Sequence, residues 1–460
     1  MEQAVRERAG ALILAAGKGT RMYSDRPKVL QRLLEEPMLA YVYRAAEPLF
    51  GDRLWTVIGH GADLVRSAFP AREGRFVLQE RQLGTGHALQ EAWPALEGAG
   101  LEYALVINGD SPLVTQDILA DFLTRALEYD AGLAFITLRL DDPGAYGRVV
   151  RENGEVTAII EAKDYDSALH GAPTGEINAG IYCLKLSGMA DLLPLLSNEN
   201  KSGELYITDL VGLAVAKGRK VLGWPGGTDT RLLGINSPAE LVRSEEFLRA
   251  AIVEKLLHEG VMIHNPDAVR ISAEAQLAKG AEITGPCEIY GRSRIGRGVR
   301  IASHCRIENT DIEENAVVHS FCHLEGAQVG QACIVGPYAR LRPGSVMERN
   351  AHVGNFVEMK NTRLGEGAKA NHLTYLSDAE VGGGANIGAG TITCNYDGKN
   401  KHMTRIGNKA FIGSNSALVA PVSIGDDALV GAGSVITIDV PEGHLGIERG
   451  SQKNIARKPK

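Results

Sequence analysis

Over most of the second half of the chain an aliphatic side chain returns at every sixth position. Leu277, Ile283, Ile289, Ile295, Ile301 and Ile307 share one register, which resumes after a five-residue step at Ile312, Val318 and Leu324. A further slip leads to Val329, Val335, Leu341, Met347, Val353 and Met359, and a last run reads Ile406, Ile412, Leu418, Ile424, Val430 and Ile436. A period of six fits neither the 3.6-residue helical turn nor a heptad, so the pattern marks no helical face and no coiled coil. It predicts short strands with one inward side chain each, three units to a coil, and coils stacked so that the aliphatic residues form one continuous core. Glycine commonly follows the aliphatic position, at Gly296, Gly330, Gly354, Gly407, Gly413, Gly425 and Gly431, where a sharp corner is expected to need a residue without a Cβ. An ordinary antiparallel sheet with frequent turns has no reason to keep such a phase.

The repeat resembles the hexapeptide-repeat family. That resemblance implies a left-handed parallel β-helix, usually a trimer that binds acyl carriers between subunits. The hand comes from the resemblance, since the general crossover rule favours the opposite one.

The first half has another texture. Apolar runs at residues 11–16, 54–58, 103–107 and 131–138 alternate with amphipathic stretches such as 114–129, which predicts βαβ units on a mostly parallel, Rossmann-like α/β sheet. Between the halves, NSPAELVRSEEFLRAAIVEKLLHEG predicts a long helix ending near Gly260. Ser237 caps it, Pro238 takes the first helical position and Glu240 completes a capping box. Leu241, Phe247, Leu248, Ala251, Ile252 and Leu256 form its apolar stripe. The expected division is a domain over 1–235, a helical arm over 236–260 and a β-helix domain over 261–460.

Composition narrows the partners. At 460 residues the chain is too long for one core, and 44% hydrophobic with 23% charged residues is ordinary globular usage. The net charge is −7 and basic residues gather only at Lys453, Arg457, Lys458 and Lys460, which argues against nucleic acid as a partner. Six cysteines without a CxxC pair read as reduced cytosolic thiols, not a disulfide frame or zinc site. His319 and His323 lack a ligand cluster around them and read as surface residues. The opening MEQAVRERAG is charged and precedes only a short apolar run, so neither a signal peptide nor a membrane span is expected and a cytoplasmic location is.

The strand ALILAAG runs directly into GKGTRM, with Pro27 and Lys28 close behind. Such a loop brings backbone N–H groups against phosphates, and Lys18, Arg21 and Lys28 can neutralise their charge. It is neither a Walker loop nor the dinucleotide fingerprint, because Met22 stands where the third glycine would. LAAGKGTRM and PKVL resemble the sugar-1-phosphate nucleotidyltransferases, and VLQERQLGTGHA, VINGDSPL, AYGRVV, IIEAKD, EINAGIY and GIN follow in that family's order. The resemblance implies that Leu14, Ala15, Ala16 and Gly17 with Gln79, Gly84 and Thr85 hold the uracil and ribose of UTP. It also implies substrate contacts from Asn108 and Gly109, and a sugar pocket built from Gly147, Glu161 and Asn178. Asp110, at the carboxyl end of an apolar strand where open α/β sheets place ligand chemistry, would hold Mg²⁺ with Asn236. Without its neighbours Asp110 reads as a helix cap. Arg21, Lys28 and Mg²⁺ would then carry the charge of an in-line displacement that needs no covalent enzyme intermediate.

Where the six-residue register breaks, residues can reach outward, and the breaks fall around 360–381 and 393–406. RLRPG, GNFVEMK, HLTYL, NIGAGT and CNYDGKNK resemble the glucosamine-1-phosphate acetyltransferase half of the bacterial bifunctional family that makes UDP-N-acetylglucosamine, a cell-envelope precursor. The N-terminal motifs match its other half. The resemblance implies His372 as the base that takes the amine proton, a role suited to a side chain titrating near neutrality. Glu358 would orient the imidazole or touch the amine. Arg342, Lys360 and Lys401 would bind the sugar phosphate, and Tyr375 and Asn386 the sugar. Ala389, Asn395, Tyr396, Ser414, Ala432 and Arg449 would line an acetyl-CoA groove shared between the subunits of a homotrimer. Cys394 has no paired base and reads as structural.

Two positions depart from the pattern. Gln31 follows PKVL where many relatives carry His, and Ser237-Pro238 follows GIN where Asn-Arg is expected, beside the implied ligand Asn236. One rival reading is a nucleotidyltransferase for another base or sugar 1-phosphate with a non-catalytic β-helix. The EMK, HLTYL and NYDG segments argue against it. Another is an idle binding scaffold, against which the phosphate-loop cations and Asp110 speak.

Overall fold

Alternation along one strand sets the layers of the N-terminal unit in this computed structural model, which describes residues 7–456. Residues 1–6 of the charged opening stretch, and Arg457, Lys458 and Lys460 of the basic tail, lie outside the described residues. In the strand Ala9–Ala15, Ala9, Ala11, Ile13 and Ala15 pack with the helices Met38–Phe50 and Gln116–Glu128. Leu12, of opposite parity, packs with Thr85–Gly98 and Asp209–Ala216 on the other face. A strand covered on both sides reads as an unbroken apolar run, which ALILA is.

Ala9–Ala15 lies between Leu54–Ile58 and Tyr103–Asn108 and is parallel to both. The sheet continues through Phe76–Leu78 on one side and through Glu176–Lys185, Leu133–Arg139 and Val221–Pro225 on the other. Glu176–Lys185 alone runs against its neighbours in this row, and it carries the hairpin Arg148–Glu152/Glu155–Ile160 at its margin. The chain leaves Ala9–Ala15 toward Leu54–Ile58 and returns to its other side at Tyr103–Asn108. That reversal opens a crevice at the carboxyl ends of the two central strands, the position such sheets use for ligands.

The second unit is a parallel β-helix with three aliphatic columns. Ile283, Ile301, Val318, Val335, Val353, Ala370, Ile387, Ile412 and Val430 pair in succession on one wall. Ile289, Ile307, Leu324, Leu341, Met359 and Leu376 form the second. Leu277, Ile295, Ile312, Val329, Met347, Leu364, Val381, Ile406 and Ile424 form the third. Their side chains make one core that runs the length of the unit.

Two expectations about this unit need correction. The glycines after the aliphatic position do not serve left-handed corners, because none of the seven has a positive φ. They sit where a Cβ would strike the next coil: at Gly330 it would lie 2.7 Å from the carbonyl oxygen of Met347. The left-handed corners are held by other glycines, among them Gly326, Gly390 and Gly433, by Asn309, Asn315, Asn350, Asn361 and Asn415, and by larger residues such as Phe321, Tyr338 and Phe356. Asparagine tolerates this conformation, whereas a bulky residue there needs its coil to hold it. Nor is 360–381 a break. Its strands Glu358–Leu364 and Tyr375–Val381 stay in register with one another and turn the corner at Asn361 and Asp378. The apparent loss of period reflects five-residue steps from Met359 to Leu364 and from Leu376 to Val381, with the small Ala370 inward between them. The excursion from the coil lies between Cys394 and Thr404.

The helix Pro238–His258 carries the boundary between the units, one up to Glu246 and one from Phe247. Ser237 caps Glu240 N–H through its hydroxyl at 3.3 Å, but the Glu240 carboxylate reaches past Ser237 to the Asn236 N–H at 2.6 Å. The buried residues are Arg249, Val253 and Leu256; of the expected stripe Leu256 is buried and Ile252 packs against the core, whereas Phe247 and Ala251 are exposed. Arg249 is accommodated because its guanidinium donates to the Pro266 carbonyl at 2.8 Å. No helix among the described residues is long and apolar enough to cross a membrane.

If crowding by the next coil explains the glycines, Gly330→Ala should destabilise the C-terminal unit by about 1–3 kcal/mol through overpacking. Calorimetry should then show that unit's transition moving down while the other stays; an unmoved trace would refute the crowding.

Candidate active sites

In the N-terminal unit the loop after Ala9–Ala15 turns left-handed at Gly19 and enters the short helix Thr20–Met22, leaving a cavity of 630 Å³ at the strand ends. Its wall holds Leu14, Ala15, Ala16, Gly17, Arg21, Lys28, Gln79, Gly84, Thr85, Asn108, Asp110 and Asn236, as the motifs implied. Gly109 lies behind the wall, its N–H bonded to the Leu14 carbonyl at 2.9 Å and its Cα facing Ala15 and Val29.

The Lys28 ammonium donates to Asp110 Oδ2 and, at 2.7 Å, to Asn236 Oδ1. The oxygens of Asp110 and Asn236 therefore converge on one point. Arg21 adds a second cation at 2.8 Å from Asn236 Oδ1. Asn236 is turned this way because its Nδ2 donates to the Gly234 carbonyl at 2.8 Å, so the Ser237-Pro238 departure leaves its oxygen aimed at the site. Asp110 Oδ1 is buried without a partner, and a Cβ at residue 234 would collide with that carboxylate. A divalent cation with a carboxylate and an amide oxygen on one side, its remaining positions filled by water and phosphate, fits this arrangement.

Gly147, Glu161 and Asn178 form an adjoining group. Asn178 N–H donates to the Gly147 carbonyl at 2.9 Å, and its Nδ2 donates to the Tyr182 hydroxyl at 2.6 Å. Burial, reinforced by Asp209 and Asp164, pushes the Glu161 carboxyl above its usual range, against the pull of the Thr208 hydroxyl at 3.0 Å. The same burial and Asp164 push Asp209 up to about 6. Tyr146 lies between the two groups: burial and the charges of Glu240 and Asp110 raise its pKa, and its neighbour Gly147 lies against Glu161. Tyr146 and Tyr182 fall inside the motifs AYGRVV and EINAGIY but were given no role there, and Thr208 lies outside every motif.

In the second unit one corner of successive coils brings together several of the residues that the motifs implied for acetyl transfer. Leu373 N–H bonds to the Asn355 carbonyl, Gly390 N–H to Leu373, Asn415 N–H to Ala389 and Gly433 N–H to Ser414. Asn355, His372, Ala389, Ser414 and Ala432 each precede the corner residue with positive φ, so they stack in one column. Arg449 closes it by donating to the Ala432 carbonyl at 3.3 Å. On earlier coils the adjacent position holds His304, Phe321, Tyr338 and Phe356, ring on ring at 4.7, 4.9 and 5.2 Å.

His372 Nδ1 lies 2.6 Å from Asn355 Oδ1. An amide oxygen only accepts, so Nδ1 carries the hydrogen and Nε2 is left with its lone pair outward. The implied orienting role of Glu358 is thereby corrected: Glu358 pairs with Arg342 at 2.9 Å, and Asn355 fixes the imidazole. Tyr375 sits in register with Glu358 one coil on, Lys360 follows along the same strand, and Asn386 lies on the wall of His372, opposite Lys369.

The excursion holds Asn395, Tyr396 and Lys401. Tyr396 and Lys401 bridge across it, and Asp397 ties it off by accepting from Lys399 N–H, Asn400 N–H and the His402 ring. Its root is Asp378, buried yet held below the usual carboxylate range by Asn361, Asn395 and Ser377 together with the charge of Lys401. Cys394 is half-buried, and the other five cysteines are buried and free. His323 faces Arg340 at 3.1 Å, and burial with that cation lowers its pKa.

Known proteins match both units. A MobA-like NTP transferase domain model covers residues 11–159, and a hexapeptide repeat of succinyl-transferase covers 403–437. The bifunctional protein GlmU of Nitratidesulfovibrio vulgaris (strain Hildenborough) is 62% identical over 98% of this chain and 99% of its own. That of Lawsonia intracellularis is 50% identical over 100% of both, and that of Acinetobacter baylyi 45% over 96% of both. With identity of this order across both units, the chain belongs to the GlmU family of bifunctional enzymes.

Proposed function

We propose that the chain acetylates glucosamine 1-phosphate with acetyl-CoA and then transfers UMP from UTP to the resulting N-acetylglucosamine 1-phosphate, giving UDP-N-acetylglucosamine and pyrophosphate. The observation that carries this reading is the presence in one chain of two separate constellations, each suited to one transfer. One is the convergence of Asp110 and Asn236 beside a phosphate loop. The other is the corner column that runs from His372 to Arg449.

In acetyl transfer the sugar amine attacks the thioester carbonyl carbon; the C–N bond forms, the C–S bond breaks and the coenzyme leaves as its thiolate. His372 Nε2 takes the amine proton, with Asn355 as the residue that positions it. Arg342, Lys360 and Lys401 bind the sugar phosphate, and Tyr375 and Asn386 the sugar. Ala389, Ser414 and Ala432, small residues in one column, leave room for the coenzyme beside Asn395, Tyr396 and Arg449.

In uridylyl transfer a phosphate oxygen of the sugar 1-phosphate attacks the α-phosphorus of UTP in line, and pyrophosphate leaves. Gln79, Gly84 and Thr85 hold the base and ribose, and Gly147, Glu161 and Asn178 the acetylated sugar. Arg21 and Lys28 stabilise charge on the phosphates. Mg²⁺, held by Asp110 and Asn236, supplies further charge compensation when bound. UTP and acetyl-CoA as co-substrates point to the cytoplasm. The column is open on one side of a single copy, and the walls beside it expose Ile392, Phe411, Leu429 and Val435. These exposed faces support a homotrimer whose neighbouring copies complete the groove.

Asp110→Ala, or removal of divalent metal by a chelator, should abolish uridylyl transfer and leave acetyl transfer near wild type; equal loss of both would refute the division. His372→Ala should cost acetyl transfer ~10²–10⁴-fold. Asn355→Ala should cost a smaller part of this in kcat with little change in KM, and a full-rate Asn355→Ala enzyme would remove its positioning role. Light scattering should return the mass of three chains; a strict monomer that still acetylates would exclude the shared groove.

A further inference from the structure

Behind Gln79 the wall of the cavity contains a relay through His87 and Glu91, two residues given no role above. Gln79, on that wall, is 3% exposed, and its Nε2 has two partners: the Gly84 carbonyl at 3.1 Å and His87 Nδ1 at 2.9 Å. A carbonyl oxygen accepts and never donates, so the face of the Gln79 amide turned toward Gly84 must be the nitrogen. Its second N–H then points at His87 Nδ1, which must be the unprotonated ring nitrogen. The ring hydrogen consequently resides on Nε2, 3.1 Å from Glu91 Oε1. Each group fixes the next, and both hydrogens of the Gln79 amide are spent inside the protein. Oε1 is left as the free polar atom of the side chain: among the described residues no group donates to it, and Gln79 lines the cavity.

We propose that His87 is a positioning residue that sets base choice, by locking the Gln79 amide with its oxygen toward the nucleobase so that the cavity takes a base presenting an N–H there. This rests on the reading that UTP is the nucleotide. Uracil presents N3–H between two carbonyls. Cytosine presents a bare ring nitrogen at that place, an acceptor facing an acceptor. A freely rotating glutamine would suit either base, since a half-turn exchanges its donor for its acceptor. The lock removes that freedom at no further cost in the complex, because both amide hydrogens are already satisfied. The backbone helps: Gln79 N–H is bonded to the Ile58 carbonyl at 2.8 Å and Gln79 O accepts from the Gln82 amide at 2.9 Å, so the residue cannot shift to find another pairing.

The test is the ratio of kcat/KM for UTP to that for CTP, measured on the full chain with N-acetylglucosamine 1-phosphate. His87→Leu removes the acceptor while keeping a comparable apolar bulk. His87→Asn restores an acceptor where Nδ1 stood. The UTP-over-CTP ratio should fall roughly tenfold in His87→Leu, the scale of one misplaced buried hydrogen bond, and return most of the way in His87→Asn. A role limited to packing would lower both nucleotides together and leave the ratio where it was, which would overturn the proposal. So would an unchanged ratio in His87→Leu at full rate. Should His87→Leu fail to fold, Glu91→Ala at the exposed end of the relay serves instead. It frees the imidazole to take the other tautomer, and the ratio should then drop by about two- to threefold; no drop would again count against the relay. A wild-type enzyme that turns over neither nucleotide would instead sink the assignment of UTP, leaving the two failures distinct.

Discussion

The C-terminal unit depends on a single constraint: each wall of each coil turns one large aliphatic side chain inward, with little besides small residues around it, and the backbone on either side of it is hydrogen-bonded to the coils above and below. The interior is thereby filled by three aliphatic columns and the small, closed-off residues between them, with no room for a substrate. Chemistry is displaced to the edges. There the left-handed corners repeat once per coil, and a residue type placed just before the corner is repeated in space at the coil spacing of about 4.8 Å. The column from Asn355 to Ala432 is the use made of that geometry. It places a base at one end and small residues along the path an extended coenzyme would take.

The same constraint accounts for the glycines. A stacked coil brings the backbone of one turn onto the Cα of the next, and the residue after the aliphatic position is the point of closest approach. The crowding is a property of the stack and is invisible in any single coil. It also explains why the excursion at residues 395–403 needs its own anchor. A loop that leaves the stack loses the ladder of backbone hydrogen bonds, and Asp378 replaces them with a buried carboxylate that Asn361, Asn395 and Ser377 satisfy. Buried charge is tolerable only when so paired.

The N-terminal unit solves the problem of placement differently. Its chemistry lies where two adjacent parallel strands send their following segments to opposite sides, so that strand ends, a glycine loop and a distant turn meet in one crevice. Asp110 comes from one strand end, Lys28 from the loop and Asn236 from the start of the helix between the units. Backbone N–H groups, the cations Arg21 and Lys28 and two converging oxygens meet there, an arrangement that the protein holds through Lys28. Glu161, whose charged form burial disfavours, sits in the adjoining group with Gly147 and Asn178.

The order of elements, the six-residue period and the motif-bearing residues were legible in the sequence because each depends on local repetition or on residues close together in the chain. The three aliphatic columns follow from the period, and the phosphate loop from a strand that ends in glycines. The contacts of Asn355, Asp378, Thr208 and His87 were not legible, although Asn355 and His87 stand inside motifs the sequence offers. Most of their partners are a coil or half a domain away, and even for His87, whose partners Gln79 and Glu91 are eight and four residues off, nothing in its own neighbourhood tells which group it will face. The supposed break at 360–381 failed for a related reason: five-residue steps to Leu364 and Val381 and the small inward Ala370 hide the period until the neighbouring coils show which residues pair. The sequence by itself thus determined which backbone this chain would build and which atoms could do chemistry. The tertiary structure alone decided how those atoms are aimed, because an amide, an imidazole or a carboxylate takes its orientation from the group it touches and not from the residues beside it in the chain.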